Sequence, residues 1–194
     1  MSLPRLPPGV PRFPQSIARQ LCARWFESSG WRTAGVLPDC PKLVVIAAPH
    51  SSWWDGFWGL LLKYALGIDV SFMAKRQLFR GPLGALLHGL GGIPIERDAA
   101  HGVVEQMIGR FADRESLWLA IAPEGTRKPV RKWKMGFWHI ARGAHVPILP
   151  VYFDYPSKTI GFGPLLIPGT DPIADFARLR AFYAPWRGKH RGIG

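Results

Sequence analysis

His50 and Asp55, in the stretch Pro49-His-Ser-Ser-Trp-Trp-Asp-Gly56, form an ionisable pair set among apolar residues. An imidazole held by a carboxylate keeps one tautomer and is stabilised when protonated, which suits it to take a proton from a hydroxyl. On a regular helix five residues turn through about 500°, so these side chains would diverge by roughly 140°. They can meet only if His50 lies in a loop and Asp55 in the first turn of the helix that follows. Ser52-x-x-Asp55 also has capping-box spacing, and capping alone would account for Asp55 while leaving His50 without a role. Ser51 and Ser52 lack a G-x-S-x-G elbow, and no second histidine or carboxylate stands at metal-ligand spacing. A nucleophilic serine and a metal centre are therefore both disfavoured.

Three cationic clusters could complete such a site. Pro123-Glu-Gly-Thr-Arg127 reads as a tight turn in which Glu124, Gly125 and Thr126 expose backbone N–H groups and Arg127 offers a fork for phosphate or carboxylate. Lys128, Arg131, Lys132 and Lys134 follow with no acid between, which favours an anion site. In Gly91-Gly-Ile-Pro-Ile-Glu-Arg97 the glycines permit a close turn and Arg97 ends a strand; pairing with Glu96 or Asp98 is the plainer alternative. Lys75, closing Asp69-Val-Ser-Phe-Met-Ala-Lys75, adds a further positive group.

The elements that must position these residues alternate between strand and helix. Residues 42–48 are a continuous apolar, β-branched run of the kind found in fully buried strands, and a helix over about 55–66 follows His50. Strands are expected at 69–75, 91–97, 116–123 and 146–155, with residues 158–167 as hairpin partner of the last. Helices are expected at 82–90, 99–114 (Val103, Val104, Met107, Ile108 and Phe111 on one side), 137–144 and 172–184. The last should turn Ile173, Phe176, Leu179 and Phe182 or Tyr183 inward. This order implies a single α/β domain with a largely parallel central sheet flanked by helices, and sites beyond the carboxyl ends of its strands. Residues 1–15 read as an extended, proline-rich arm, 16–30 as an amphipathic helix and 31–184 as the core. In the 16–30 helix Ile17, Leu21 and Trp25 recur every fourth residue; docking of that face on the core is favoured over a lipid interface.

Composition narrows the partners. A chain of 194 residues, 47% hydrophobic with a net charge of +12, is globular and suited to anionic partners. Nine tryptophans and eleven phenylalanines tilt the choice from nucleic acid towards a membrane surface, where aromatic rings are favoured. Cys22 and Cys40 fit no metal or disulfide framework and are expected as reduced thiols, in keeping with a cytoplasmic setting. Prolines near the N-terminus argue against a signal peptide, and the oily stretch around Leu60–Leu62 falls short of the roughly 20 residues needed to span a bilayer. A basic nucleic-acid-binding domain is the rival from another class, but it gives His50 nothing to do, and no recognisable motif supports it.

In order and spacing, His50-Ser-Ser-Trp-Trp-Asp55, Gly92-Ile-Pro-Ile-Glu-Arg97, Glu124-Gly-Thr-Arg127 and Val146-Pro-Ile-Leu-Pro-Val151 match four blocks of a known family. From about Gly30 to Tyr155 the chain resembles the lysophospholipid, or glycerolipid, acyltransferases. The resemblance implies transfer of a fatty acyl group from acyl-CoA or acyl carrier protein to a lysophospholipid-like hydroxyl, such as that of 1-acylglycerol 3-phosphate. A lyso-aminolipid or other hydroxylated lipid is the alternative acceptor. It further implies His50 as general base, Asp55 as its orienter, Arg97 and Arg127 on the acceptor phosphate, and Glu124 and Gly125 helping to form the acceptor site. It implies no cofactor and no nucleic acid; the charge and aromatic content add the expectation of peripheral attachment to the inner face of the membrane. The chain departs from the family in Lys75-Arg-Gln-Leu78, where Lys-x-Glu-Leu is frequent. It also departs in Trp53 and Trp54, which fill positions often small or polar; Trp54 is expected in the core.

Overall fold

Alternate residues of the run Lys42–Ala48 enter different cores. Val44, Ile46 and Ala48 pack with Met107, Phe111, Phe137 and Tyr183, whereas Leu43 and Val45 pack with Phe26, Leu61, Leu62 and Leu66. A strand apolar on both sides is stable only when helices cover both faces of its sheet, and this one is so covered. The computed structural model describes residues 3–14, 16–96, 100–126, 128, 130 and 132–193.

The elements in chain order are α1 (Ile17–Ser28), β1 (Arg32–Ala34), β2 (Lys42–Ala48), α2 (Trp53–Leu66), β3 (Val70–Lys75), α3 (Gly81–Gly89), β4 (Gly92–Ile95), α4 (Ala100–Ala112), β5 (Leu117–Ile121), α5 (Gly136–Gly143), β6 (Ile148–Asp154), β7 (Thr159–Phe162) and α6 (Pro172–Tyr183). A 3-10 turn, Arg76–Leu78, joins β3 to α3. The seven strands form one sheet in the order β1-β7-β6-β2-β5-β3-β4. From β6 to β4 all neighbours are parallel, so β2, β3, β4 and β5 end at one edge. β7 turns back antiparallel on β6, as the hairpin reading required, and β1, too short to be legible in the sequence, pairs parallel with β7.

Two inward faces differ from expectation. On α1, Ile17, Leu21 and Trp25 are 77%, 59% and 56% exposed, and Phe26 is the residue that enters the core. Ile17 and Leu21 of the stripe that was expected to dock therefore face outwards, and Trp25 meets α2 only by an edge contact with Phe57 at 5.4 Å, because α1 lies against α2 mainly by its other side. On α6, Leu179 and Tyr183 are buried as expected, but Ile173 is exposed and Asp175 takes a buried place, accepting the Trp138 indole N–H at 2.9 Å. The proline-rich arm turns at residues 7–10, where the Val10 N–H donates to the Pro7 carbonyl, and is strapped down: Phe13 N–H donates to the Gly67 carbonyl, Asp69 N–H to that of Pro11, and Val10 is buried. Among the described residues no helix is long and apolar enough to cross a membrane. The oily residues Leu61, Leu62, Ala65 and Leu66 of α2, which could have offered lipid contact, are spent on the core.

Lys63 on α2 is buried, and its ammonium donates to the carbonyls of Val70 and Leu90 at 2.7 and 2.6 Å, tying α2 to β3 and the end of α3. Desolvation lowers its pKa from 10.5 to about 8, against an opposing pull from Asp69. A base whose folded pKa is depressed costs stability while charged, and that cost is relieved as pH rises from about 8 towards the unfolded value. Urea unfolding of the wild type and Lys63→Met should show the wild type gaining roughly 2 kcal/mol on the mutant between pH 7 and 9.5. A constant gap would mean that the lysine titrates as if exposed.

Candidate active site

The helix α2 starts where the chain leaves β2, and its cap builds the site. The Ser52 hydroxyl accepts the Trp54 N–H at 3.2 Å, and Asp55 reaches back to the backbone, completing the capping box that its spacing predicts. One oxygen of Asp55, Oδ2, accepts the N–H groups of Ser51 and Ser52 at 2.7 and 2.8 Å. The other, Oδ1, accepts the Tyr155 hydroxyl at 2.7 Å. His50, in the loop, places Nδ1 3.4 Å from Oδ2. That is a long contact of the kind that tightens when substrate binds. With Nδ1 facing the carboxylate, Nε2 is the nitrogen left to take a proton.

Burial alone would raise the Asp55 carboxyl, but hydrogen bonds from His50, Tyr155 and Ser52 outweigh it and hold the group below its usual value. Asp55 thus stays ionised at neutral pH, in the form that can stabilise an imidazolium. The same contact acts in reverse on Tyr155: burial first, and then the neighbouring carboxylate, push its phenol well above the ordinary range. That phenol acts as a fixed donor.

Beyond the strand ends lies a cavity of about 1170 Å³. His50 follows β2, Lys75 closes β3, Ile95 closes β4 and Pro123 follows β5; all four line it. Its wall is otherwise largely apolar, with Phe72, Met73, Leu87, Val103, Val104 and Phe137 contributing, and Lys128 and Lys134 add positive charge. Such a space suits an acyl chain with an anionic head.

Gly125 also lines the cavity, with φ of +65°, a conformation that favours glycine, and its N–H closes the turn by bonding to the Ala122 carbonyl. Glu124 is 2% exposed and does not line the cavity; Oε1 accepts the His50 N–H at 2.8 Å and Oε2 meets the Arg191 guanidinium at 2.5 Å. Arg97, Arg127 and Arg131 lie outside the described residues. Glu96, one partner considered for Arg97, is paired with Arg76 at 3.0 Å.

The sequence model of the family described as Acyltransferase matches residues 37–154, well over half of the chain and every element just described as forming the cavity edge. The chain belongs to the acyltransferase family. A probable 1-acyl-sn-glycerol-3-phosphate acyltransferase 5 of Arabidopsis thaliana is 33% identical over 93 residues, covering 45% of this chain and 25% of that protein. The 1-acyl-sn-glycerol-3-phosphate acyltransferase of Escherichia coli K12 is 34% identical over 101 residues, 48% of this chain and 40% of its own length. The matched part thus spans less than half of either relative. The crystal structure of the 1-acyl-sn-glycerophosphate acyltransferase PlsC from Thermotoga maritima shares the fold, with a TM-score of 0.57 at 18% identity, over 84% of this chain and 76% of that one.

At this site the sequence reading missed Tyr155 and Arg191. Tyr155 had a signal, since it follows β6 at the edge where the other site residues lie. Arg191 had none, standing in a glycine- and arginine-containing tail outside the matched region. The tryptophans also depart from expectation. Trp53 is 73% exposed and lines the cavity mouth; Trp54 is 49% exposed rather than in the core, with the Lys189 ammonium 4.9 Å from its ring. As α2's first residues they precede its buried face, so the cap turns them outwards. Tyr155→Phe should raise the Asp55 carboxyl pKa by removing one of the bonds that lower it, as read by carbon-13 titration of the carboxyl. An unmoved titration would mean that the phenol contributes nothing to the carboxylate.

Proposed function

We propose that this acyltransferase moves a fatty acyl group from a thioester, acyl-CoA or acyl carrier protein, to the hydroxyl of a lysophospholipid-like acceptor such as 1-acylglycerol 3-phosphate. The observation that carries this reading is His50, backed by a buried carboxylate, at the wall of a largely apolar cavity whose other polar contributions include three lysines. His50 Nε2 takes the acceptor's proton as the hydroxyl oxygen attacks the thioester carbonyl carbon. The C–S bond then breaks, and the departing thiolate recovers the proton from the imidazolium, so no covalent enzyme intermediate and no cofactor are required. Asp55 keeps the ring oriented and stabilises its charged form. The family motif assigns Arg97 and Arg127 to the acceptor phosphate, and Lys75, which lines the cavity, adds a further cation. Glu124 and Gly125 help to form the acceptor site, Gly125 from the cavity wall and Glu124 through its hold on the His50 N–H.

The named relatives favour a glycerophosphate acceptor over a lyso-aminolipid. The same reading places the protein on the inner face of a membrane. The exposed Ile17, Leu21 and Trp25 of α1, with Trp53 and Trp54 near the cavity mouth, form an apolar surface suited to an interface.

Purified protein offered acyl-CoA and acyl carrier protein donors against a panel of lysolipids should acylate the phosphate-bearing acceptors. His50→Ala should lower turnover by about 10²–10⁴-fold, the range for loss of a general base. Transfer by the wild type to no acceptor, or full activity in the mutant, would sink the proposal. Separately, replacing Ile17, Leu21 and Trp25 by serine should weaken sedimentation with anionic vesicles by at least about tenfold, since each exposed side chain is worth ~1.5 kcal/mol or more on full burial. Equal sedimentation would move the membrane surface elsewhere.

A further inference from the structure

After α6 the chain crosses back over the carboxyl edge of the sheet and lies on the loop that holds His50. Trp186 stacks on Tyr152 with ring centroids 3.7 Å apart, and the Arg187 backbone exchanges hydrogen bonds with Tyr155 and Asp154. Gly188 sits so close that a Cβ there would come within 2.8 Å of the Ser51 hydroxyl and 3.2 Å of Pro49. The His190 N–H donates to the Ser51 hydroxyl at 3.2 Å. Arg191 then inserts its guanidinium between the two motif loops. Nη2 stands 2.5 Å from Glu124 Oε2, 2.8 Å from the Lys128 carbonyl and 3.4 Å from the His50 carbonyl.

We infer that Arg191 is a positioning residue for the proposed reaction, acting on His50 through Glu124. The Glu124 carboxylate is divided between two jobs: one oxygen holds the His50 N–H and the other meets Arg191. Its side chain has no solvent exposure and that of Arg191 is 17% exposed, so the two charges are buried against each other and removing one leaves the other without its counter-charge. With Arg191 gone, Oε2 loses its cation and the carboxylate can turn, which loosens its hold on the His50 N–H and the loop that fixes the imidazole relative to Asp55. The residue lies 67 positions from Glu124 and outside the matched region, so the family motif does not include it.

The kinetic arm of the test rests on the acyltransferase reading; the spectroscopic arm does not. In the full chain, Arg191→Gln should lower kcat per folded molecule by about 10- to 100-fold, the scale of an ångström-sized misplacement, with KM for both substrates changed less than threefold. Arg191→Lys, which keeps the charge, should recover to within about threefold. Glu124→Gln retains an acceptor for the His50 N–H and loses only the charge, so it should resemble Arg191→Gln. The double variant should be no worse than either single one. The His50 ring signals, identified by their loss in His50→Ala, should shift in proton–nitrogen spectra of Arg191→Gln and Glu124→Gln. Should Arg191→Gln fail to fold, Glu124→Gln decides by the same readouts. Unshifted ring signals, equal losses in the Lys and Gln variants, or a loss explained entirely by the unfolded fraction would overturn the inference. If the wild type transfers no acyl group, the proposed function fails, and the ring signals alone judge Arg191.

Discussion

One buried carboxylate organises the carboxyl edge of this sheet. Asp55 accepts two backbone N–H groups of the loop after β2, a hydroxyl from the end of β6, and the approach of an imidazole. A carboxylate that is 1% exposed would be strongly penalised without such donors, and their number explains why it remains ionised. The carboxylate also stands at the N-terminus of α2, where the helix dipole favours negative charge. Capping and imidazole support are therefore one arrangement. The bonds that start the helix also set the carboxylate where His50 reaches it.

The rest of the edge keeps that arrangement in place while leaving a largely apolar cavity open beside it. β2 is central, with a parallel neighbour on each side, so the loop carrying His50 leaves a strand that is buried on both faces. The Glu124 turn, at the end of the neighbouring β5, braces the same loop from one side, and the tail after α6 braces it from above. Lys75, Lys128 and Lys134 lie on the open side, where they stay hydrated and can meet an anion without the desolvation that Glu124 and Arg191 undergo together.

Elements with strong local signals were legible in the sequence. The β-branched run 42–48, the capping box at Ser52–Asp55 and the apolar side of α4, with Met107 and Phe111 buried, all read correctly because period and cap are short-range properties. The faces of α1 and Trp54 did not. A period of four identifies an apolar stripe but not what covers it, and α1 meets α2 through another side. On α6 the same limit exposed Ile173 and buried Asp175, whose charge is met by Trp138, the Gly169 N–H and Arg178.

By itself, then, the sequence determined the order of strands and helices apart from β1, the family, and a histidine and an aspartate joined through a helix start. These depend on residues a few positions apart, where the backbone leaves little choice. Tertiary structure alone decided that the Tyr155 hydroxyl, 100 residues away, completes the Asp55 carboxylate, and that Arg191 closes on Glu124 across 67 residues. No local pattern encodes such pairs, because they exist only once a parallel sheet has brought distant strand ends to one edge and a tail has folded back across them.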